Sequence, residues 1–145
     1  MFGMFRKKAK AVARDISKFE KKDLMEATVG ICVLVMYADG TAEDTERAKI
    51  QKILDNTPAL ANFGSEVASC FGRFDALCRD AGMIMARSQI MREIKDCQGD
   101  SREMEDVLVT GLTVALADGE MDEKEEKVLK EVASAFGLRL ESFLG

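Results

Sequence analysis

A single phrase occurs twice in this chain and limits what the chain can fold into. Val35-Met36-Tyr37-Ala38-Asp39-Gly40-Thr41-Ala42-Glu43-Asp44-Thr45-Glu46 returns as Val114-Ala115-Leu116-Ala117-Asp118-Gly119-Glu120-Met121-Asp122-Glu123-Lys124-Glu125, displaced by 79 positions. The same displacement sets Glu26 on Glu105, Val33 on Leu112, Ile50 on Leu129 and Ile53 on Val132. Each copy reads as an apolar helix, an Asp-Gly turn and a second helix that opens on acidic residues. A chain of 145 residues supports one core, so both copies have to share it. Self-similarity at a fixed interval constrains the architecture before any single motif does.

The remaining residues favour helices. Ala, Leu, Met, Glu and Lys are abundant, and one proline with 11 glycines leaves few breaks. No apolar run reads as a strand with a credible partner. The expected fold class is all-α: a compact single-domain bundle of about seven helices with an internal pseudo-two-fold repeat, its halves at about 23–56 and 102–136. A hydrophobic fraction of 47% is ordinary for a globular protein. No apolar run approaches the ~20 residues a membrane span requires. The N-terminus has no continuous apolar stretch of the kind a secretory signal needs.

Charge is unevenly spread. The net charge is −5. Residues 1–22 hold eight basic side chains against Asp15 and Glu20, a balance of +6, which leaves −11 on residues 23–145. The body should attract cations or basic partners and repel nucleic acid. The four cysteines form no C-x-x-C, and with no histidine a zinc site of the usual ligand types is not expected. Reduced thiols in a cytosolic compartment are the natural reading.

In chain order, residues 1–22 read as a basic amphipathic helix, with Phe5, Val12, Ile16 and Phe19 on one face. That helix either caps the core with its apolar stripe or lies on an anionic membrane surface through Met1, Phe2, Met4 and Phe5. The helical body follows over 23–145. Asp23 with Glu26 has capping-box spacing and opens a helix to about Ala38. Its run Val29 to Met36 is apolar on nearly all sides, the mark of a central buried helix with Cys32 as an inert core thiol. The next helix spans about Ala42 to Asn56, with Ala48, Ile50, Ile53 and Leu54 inward and Thr41 as its cap. Thr57-Pro58 starts a short helix or turn. Ser65 caps a helix to about Cys78, carrying Val67, Phe71, Phe74 and Leu77. Asp80 opens another to about Cys97, with Ile84, Met85, Ile90, Met91 and Ile94 inward. Asp100–Glu103 and Asp122–Glu125 are further capping boxes. They open Ser101–Ala117 and a last long helix bearing Val128, Leu129, Val132, Ala133 and Phe136. Gly137 is a natural stop, and Leu138 to Leu144 packs as a terminal turn.

The chemistry-bearing residues gather at the two Asp-Gly turns. Hard cations such as Ca²⁺ or Mg²⁺ take several converging oxygen ligands. An Asp followed seven residues later by Glu, used twice, offers Asp39 with Glu46 and Asp118 with Glu125. This is not an EF-hand, whose loop places glycine sixth and glutamate twelfth. The alternative needs no ion. Acidic first turns complement the helix dipole, Glu125 returns to cap Asp122, and a turn Asp bonds its own backbone.

With these residues in hand, the sequence resembles the tellurite-resistance TerB family. The resemblance rests on Ala38-Asp39-Gly40 with Glu46, on Ala117-Asp118-Gly119 with Asp122 and Glu125, and on the closing Ala133-x-x-Phe136-Gly137-Leu138. It implies a compact all-α fold with internal pseudo-two-fold symmetry. It also implies a cytoplasmic role in bacterial resistance to tellurite, phage and colicin, peripheral to the inner membrane beside a membrane partner, TerC. The implied metal residues are Asp39, Glu46, Asp118 and Glu125, for a divalent cation such as Ca, Mn or Mg. Glu43 stands where the second copy has Asp122, a departure that questions the equivalence of the half-sites.

Three functions follow. The first is a non-enzymatic, acidic, metal-binding module of a stress-response system. The second is a protein-interaction adaptor whose acidic turns bind a basic partner and no ion. The third, a thiol reductase, is disfavoured: Cys70 and Cys78 stand about 80° apart on a helix, and there is no histidine base.

Overall fold

The computed structural model describes residues 7–8, 16–97, 99–117 and 119–144. Its helices are α1 Lys22–Met36, α2 Asp44–Asp55, α3 Ser65–Ala81, α4 Met83–Lys95, α5 Ser101–Ala115 and α6 Glu123–Ala135. Short 3-10 turns occupy Pro58–Phe63 and Leu140–Phe143. Strands β1 Lys7–Lys8 and β2 Glu120–Met121 pair antiparallel, Lys7 opposite Met121. The class is all-α, as the composition requires. This minimal ladder is the exception to the expectation of no partnered strand.

The duplication is written into the boundaries. α1 and α5 begin and end 79 residues apart, and so do the first residues of α2 and α6. α3 and α4 lie between the copies and have no counterpart. α1 is the axis of the bundle. Every side chain from Leu24 to Met36 is buried except Glu26, as a helix apolar on all sides must be. Every other helix packs on it, α5 most extensively. Each fully buried Leu or Ile in this core, such as Leu34, Ile31 and Leu108, contributes roughly 1.5–3 kcal/mol relative to exposure. Thr28, the one polar side chain buried within α1, donates its hydroxyl to the Leu24 carbonyl at 2.8 Å. The α3–α4 hairpin is stitched to α1 by Arg73, which reaches Glu93 at 3.0 and 3.2 Å and Glu26 at 3.3 Å.

Several sequence expectations need correction. Of the helix expected over residues 1–22, the described part before Lys22 is not helical. Lys7–Lys8 is strand, and residues 16–20 are irregular. Residues 1–6 and 9–15 lie outside the described residues. The reason for the irregular stretch is local: Phe19 spends its N–H on the Ala59 carbonyl at 2.8 Å, and its own carbonyl accepts from Asn62 at 3.0 Å. Its ring is nonetheless buried and Ile16 is half-buried, so this end of the expected apolar face meets the core without a helix, while Phe5 and Val12 lie outside the described residues.

Asp23 does not cap α1, because the helix starts one residue earlier and Lys21 is its N-cap. The Lys21 amine instead reaches Glu103 at 2.9 Å. Gly64, not Ser65, precedes α3, and α3 runs through Asp80 to Ala81. In α4 the inward face is Ala86, Ile90, Met91 and Ile94. Ile84 is 93% exposed and Met85 53%, since Ile84 sits two residues, about 200° of helical rotation, from Ala86. Ala48 is exposed, whereas Ile50 and Ile53 are half-buried beside buried Leu54.

The expected stops and boxes are present where they are purely local. Asp100 and Glu103 exchange bonds of 2.9 and 3.0 Å. Gly137 follows α6, with Leu138 N–H on the Ala133 carbonyl at 2.8 Å and Gly137 N–H on Ser134 at 3.0 Å, a Schellman ending.

Candidate functional site

The described parts of the two acidic turns carry matching bonds. Gly40 N–H donates to the Tyr37 carbonyl at 2.8 Å, and Gly119 N–H donates to the Leu116 carbonyl at 2.8 Å. Gly40 and Gly119 both hold positive φ, +99° and +84°, a region costly to any residue with a Cβ. After each turn a glutamate folds back on the entrance of the next helix. Glu46 accepts from the Glu43 N–H at 3.2 Å, and Glu125 accepts from the Asp122 N–H at 3.0 Å. Glu43 therefore does the capping for which Thr41 was expected, and it occupies the place of Asp122. The Thr41 N–H instead bonds Asp39 Oδ1 at 3.2 Å, the local turn that an Asp makes with the backbone two residues on.

Packing of α1 against α5 brings the turns together. Asp39 and Glu46 from the first copy and Asp122 and Glu125 from the second line one cavity of about 200 Å³, floored by Val35, Met36 and Ala38. A further recess of about 130 Å³ shares Val35, Met36, Glu46 and Glu125 and extends to Cys32, Lys49 and Ala117. Three of the four sequence-derived site residues, Asp39, Glu46 and Glu125, thus border a common space. Asp118 lies outside the described residues. Asp122 enters the cavity wall although it was read chiefly as a cap; its Oδ1 accepts the Glu125 N–H at 2.9 Å. Lys49 was not foreseen there, and its place one turn beyond Glu46 on α2 was the available signal.

The donor set is entirely carboxylate, which suits hard cations and excludes sites built on soft ligands. Among the described residues, no group of three or more acidic, cysteine or histidine side chains is gathered tightly enough to hold one ion. The caps explain that spacing. Glu46, Glu125, Asp39 and Asp122 each turn an oxygen toward a backbone amide. A carboxylate offers about four lone-pair directions, so capping and ligation are compatible for the same group.

Beside the first turn stands a buried polar cluster that the sequence did not announce. Asp75 of α3 is 3% exposed. It accepts the Tyr37 hydroxyl at 2.6 Å and pairs with Arg47 Nε at 2.9 Å. Arg47 also bonds the Tyr37 oxygen at 3.1 Å and Asp44 at 2.7 Å. Burial, followed by the bond to Asp75, raises the pKa of the Tyr37 hydroxyl, keeping it protonated as a donor.

The thiols are shielded. All four cysteines are buried and unpaired with one another. Burial pushes Cys32 and Cys70 up to about 12 and Cys78 and Cys97 up to about 11. Among the described residues no helix is long and apolar enough to cross a membrane.

Residues 25–144 fit the family model described as Tellurite resistance protein TerB. No curated protein and no solved structure matches significantly.

Proposed function

We propose a function for this chain as a member of the tellurite resistance protein TerB family, to which it belongs: a non-enzymatic acidic module of a tellurite-resistance and stress-response system that recruits a divalent cation between its two repeats. One observation carries the proposal. Asp39, Glu46, Asp122 and Glu125, drawn from turns 79 positions apart, border one small cavity. Bringing like charges together costs energy in water and more where water is displaced. A hard cation with oxygen ligands offsets that cost. Asp118, equivalent to Asp39, belongs to the proposed ligand set through its place in the second turn. Buried thiols with raised pKa values support the non-enzymatic reading, since the thiolate is the reactive form.

The same family implies work near the inner membrane beside a TerC-like protein, in the cytoplasm. In this proposal the basic residues of segment 1–22 supply the attraction to an anionic surface, and the acidic body keeps nucleic acid away.

A second reading is the adaptor, in which the acidic turns dock a basic partner and hold no ion. The absence of a tight ligand group among the described residues favours it. Calorimetric titration with Ca²⁺ and Mn²⁺ separates the two. Cation recruitment predicts saturable heat and a thermal shift of a few degrees at about ten times Kd. No heat and no shift at millimolar ion leaves the adaptor.

A further inference from the structure

The two acidic turns share their glycine and helix-entrance hydrogen bonds but differ in anchorage, the second running into the β2 strand that pairs with β1. In the first, Tyr37 closes α1 two residues before Asp39, and Arg47 follows Glu46 on α2. Both side chains converge on Asp75, whose two oxygens lie 2.6 Å from the Tyr37 hydroxyl and 2.9 Å from Arg47 Nε. Arg79, one turn further along α3, approaches the same carboxylate at 3.5 Å. The chain from residue 37 to 47 is therefore held at both ends by one buried anion on a third helix. In the second copy the equivalent positions are Leu116 and Glu126. Leu116 is buried without a polar group to offer, and Glu126 lies 3.8 Å from Lys130 on its own helix. α3 exists once, so it can brace one turn only.

We infer that Asp75 is a positioning residue: through Tyr37 and Arg47 it fixes the first acidic turn, and with it Asp39 and Glu46, against the shared cavity. The Asp75 charge strengthens the hydrogen bond from the Tyr37 hydroxyl and holds the Arg47 guanidinium as an ion pair. Two fastenings on one rigid helix restrict the turn more than either does alone. The consequence for cation recruitment rests on the proposed function; the bracing itself does not.

The two glycine amides supply an internal control, because Gly40 and Gly119 make the same bond at the same 2.8 Å. Backbone hydrogen exchange is measured on the full chain for wild type, Asp75→Asn and Tyr37→Phe. In Asp75→Asn, exchange at Gly40 should accelerate about tenfold relative to Gly119. Tyr37→Phe keeps the ring in the core and should show the same selectivity at smaller amplitude; it decides the matter if Asp75→Asn does not fold. Equal acceleration at both glycines means a loss of global stability and overturns the inference, as does no change at either. Mn²⁺ titration of the same variants reports the functional arm. Weaker binding in Asp75→Asn supports the positioning role, and unchanged binding refutes it. If wild type itself binds no Mn²⁺, the cation reading falls while the exchange comparison still decides the bracing.

Discussion

The Cys32 thiol lies 3.8 Å from the carbonyl oxygen of Gly111, and Gly111 is the residue that takes the place of Cys32 in the second copy. A residue that touches its own counterpart marks the axis relating two halves. Here the contact falls near the middle of α1 and of α5, where Gly111 lets the helices pack closely. A Cβ built on Gly111 would stand 2.9 Å from Ile31 Cγ2. The two acidic turns extend from the same ends of these helices, so the crossing fixes their meeting.

Gly111→Ala tests that crossing. Alanine gains about 1 kcal/mol of helix propensity over glycine. The clash is with a branched carbon next to the Ile31 backbone, which cannot swing away, and overpacking typically costs about 1–3 kcal/mol. The clash should win, giving net destabilisation of about 1 kcal/mol in urea melts with the slope unchanged. A stabilised variant would show that the helices are not in tight contact there.

Glu46→Gln combined with Glu125→Gln separates capping from ion binding. Glutamine serves a capping box as glutamate does, so both helix entrances persist. The melting temperature without added ion should stay within about 0.5 kcal/mol equivalent of wild type. The Ca²⁺- or Mn²⁺-dependent thermal shift should vanish. A retained shift would remove these two glutamates from the ligand set.

The four thiols should be nearly silent toward a thiol reagent in the folded protein. A thiol with a pKa of about 11 is roughly 0.1% thiolate at pH 8, and one near 12 about tenfold less. Raising the pH increases that fraction in proportion, so labelling should speed up toward alkaline pH. Unfolding in guanidinium should release all four cysteines at once. A rapidly labelled native cysteine would contradict this and reopen thiol chemistry.

Glu103 should contribute to acid sensitivity. The Asp100 N–H and then the Lys21 ammonium hold its carboxyl below the usual range. A carboxyl with a depressed folded pKa stabilises fully above its unfolded value, about 4.3. That contribution is lost as pH falls through the folded value. Glu103→Gln keeps the cap and removes the titration. Its stability deficit relative to wild type should be present near neutral pH and shrink progressively below about pH 4.3. A deficit independent of pH would assign the effect to packing.

The sequence by itself determined the repeat, the buried nature of α1, the boxes at Asp100 and Asp122, and the turn glycines. These signals act between residues at most four apart, or between copies of one phrase, and chain spacing encodes both directly. Asp39, Glu46 and Glu125 were legible as carboxylates of the two turns for the same reason. Tertiary structure alone decided what spacing does not encode. The bond between Tyr37 and Asp75 joins residues 38 positions apart with no repeat to announce it. Phe19 left its expected helix because the Pro58–Phe63 turn offered its backbone other partners. Ile84 faces outward because α4 begins where Gly82 ends α3, and that start sets the rotation of every later side chain. Asp122 joined the cavity wall because α5 and α6 carry it there. Local preferences select the helices; burial and the pairing of distant polar groups select how the helices meet.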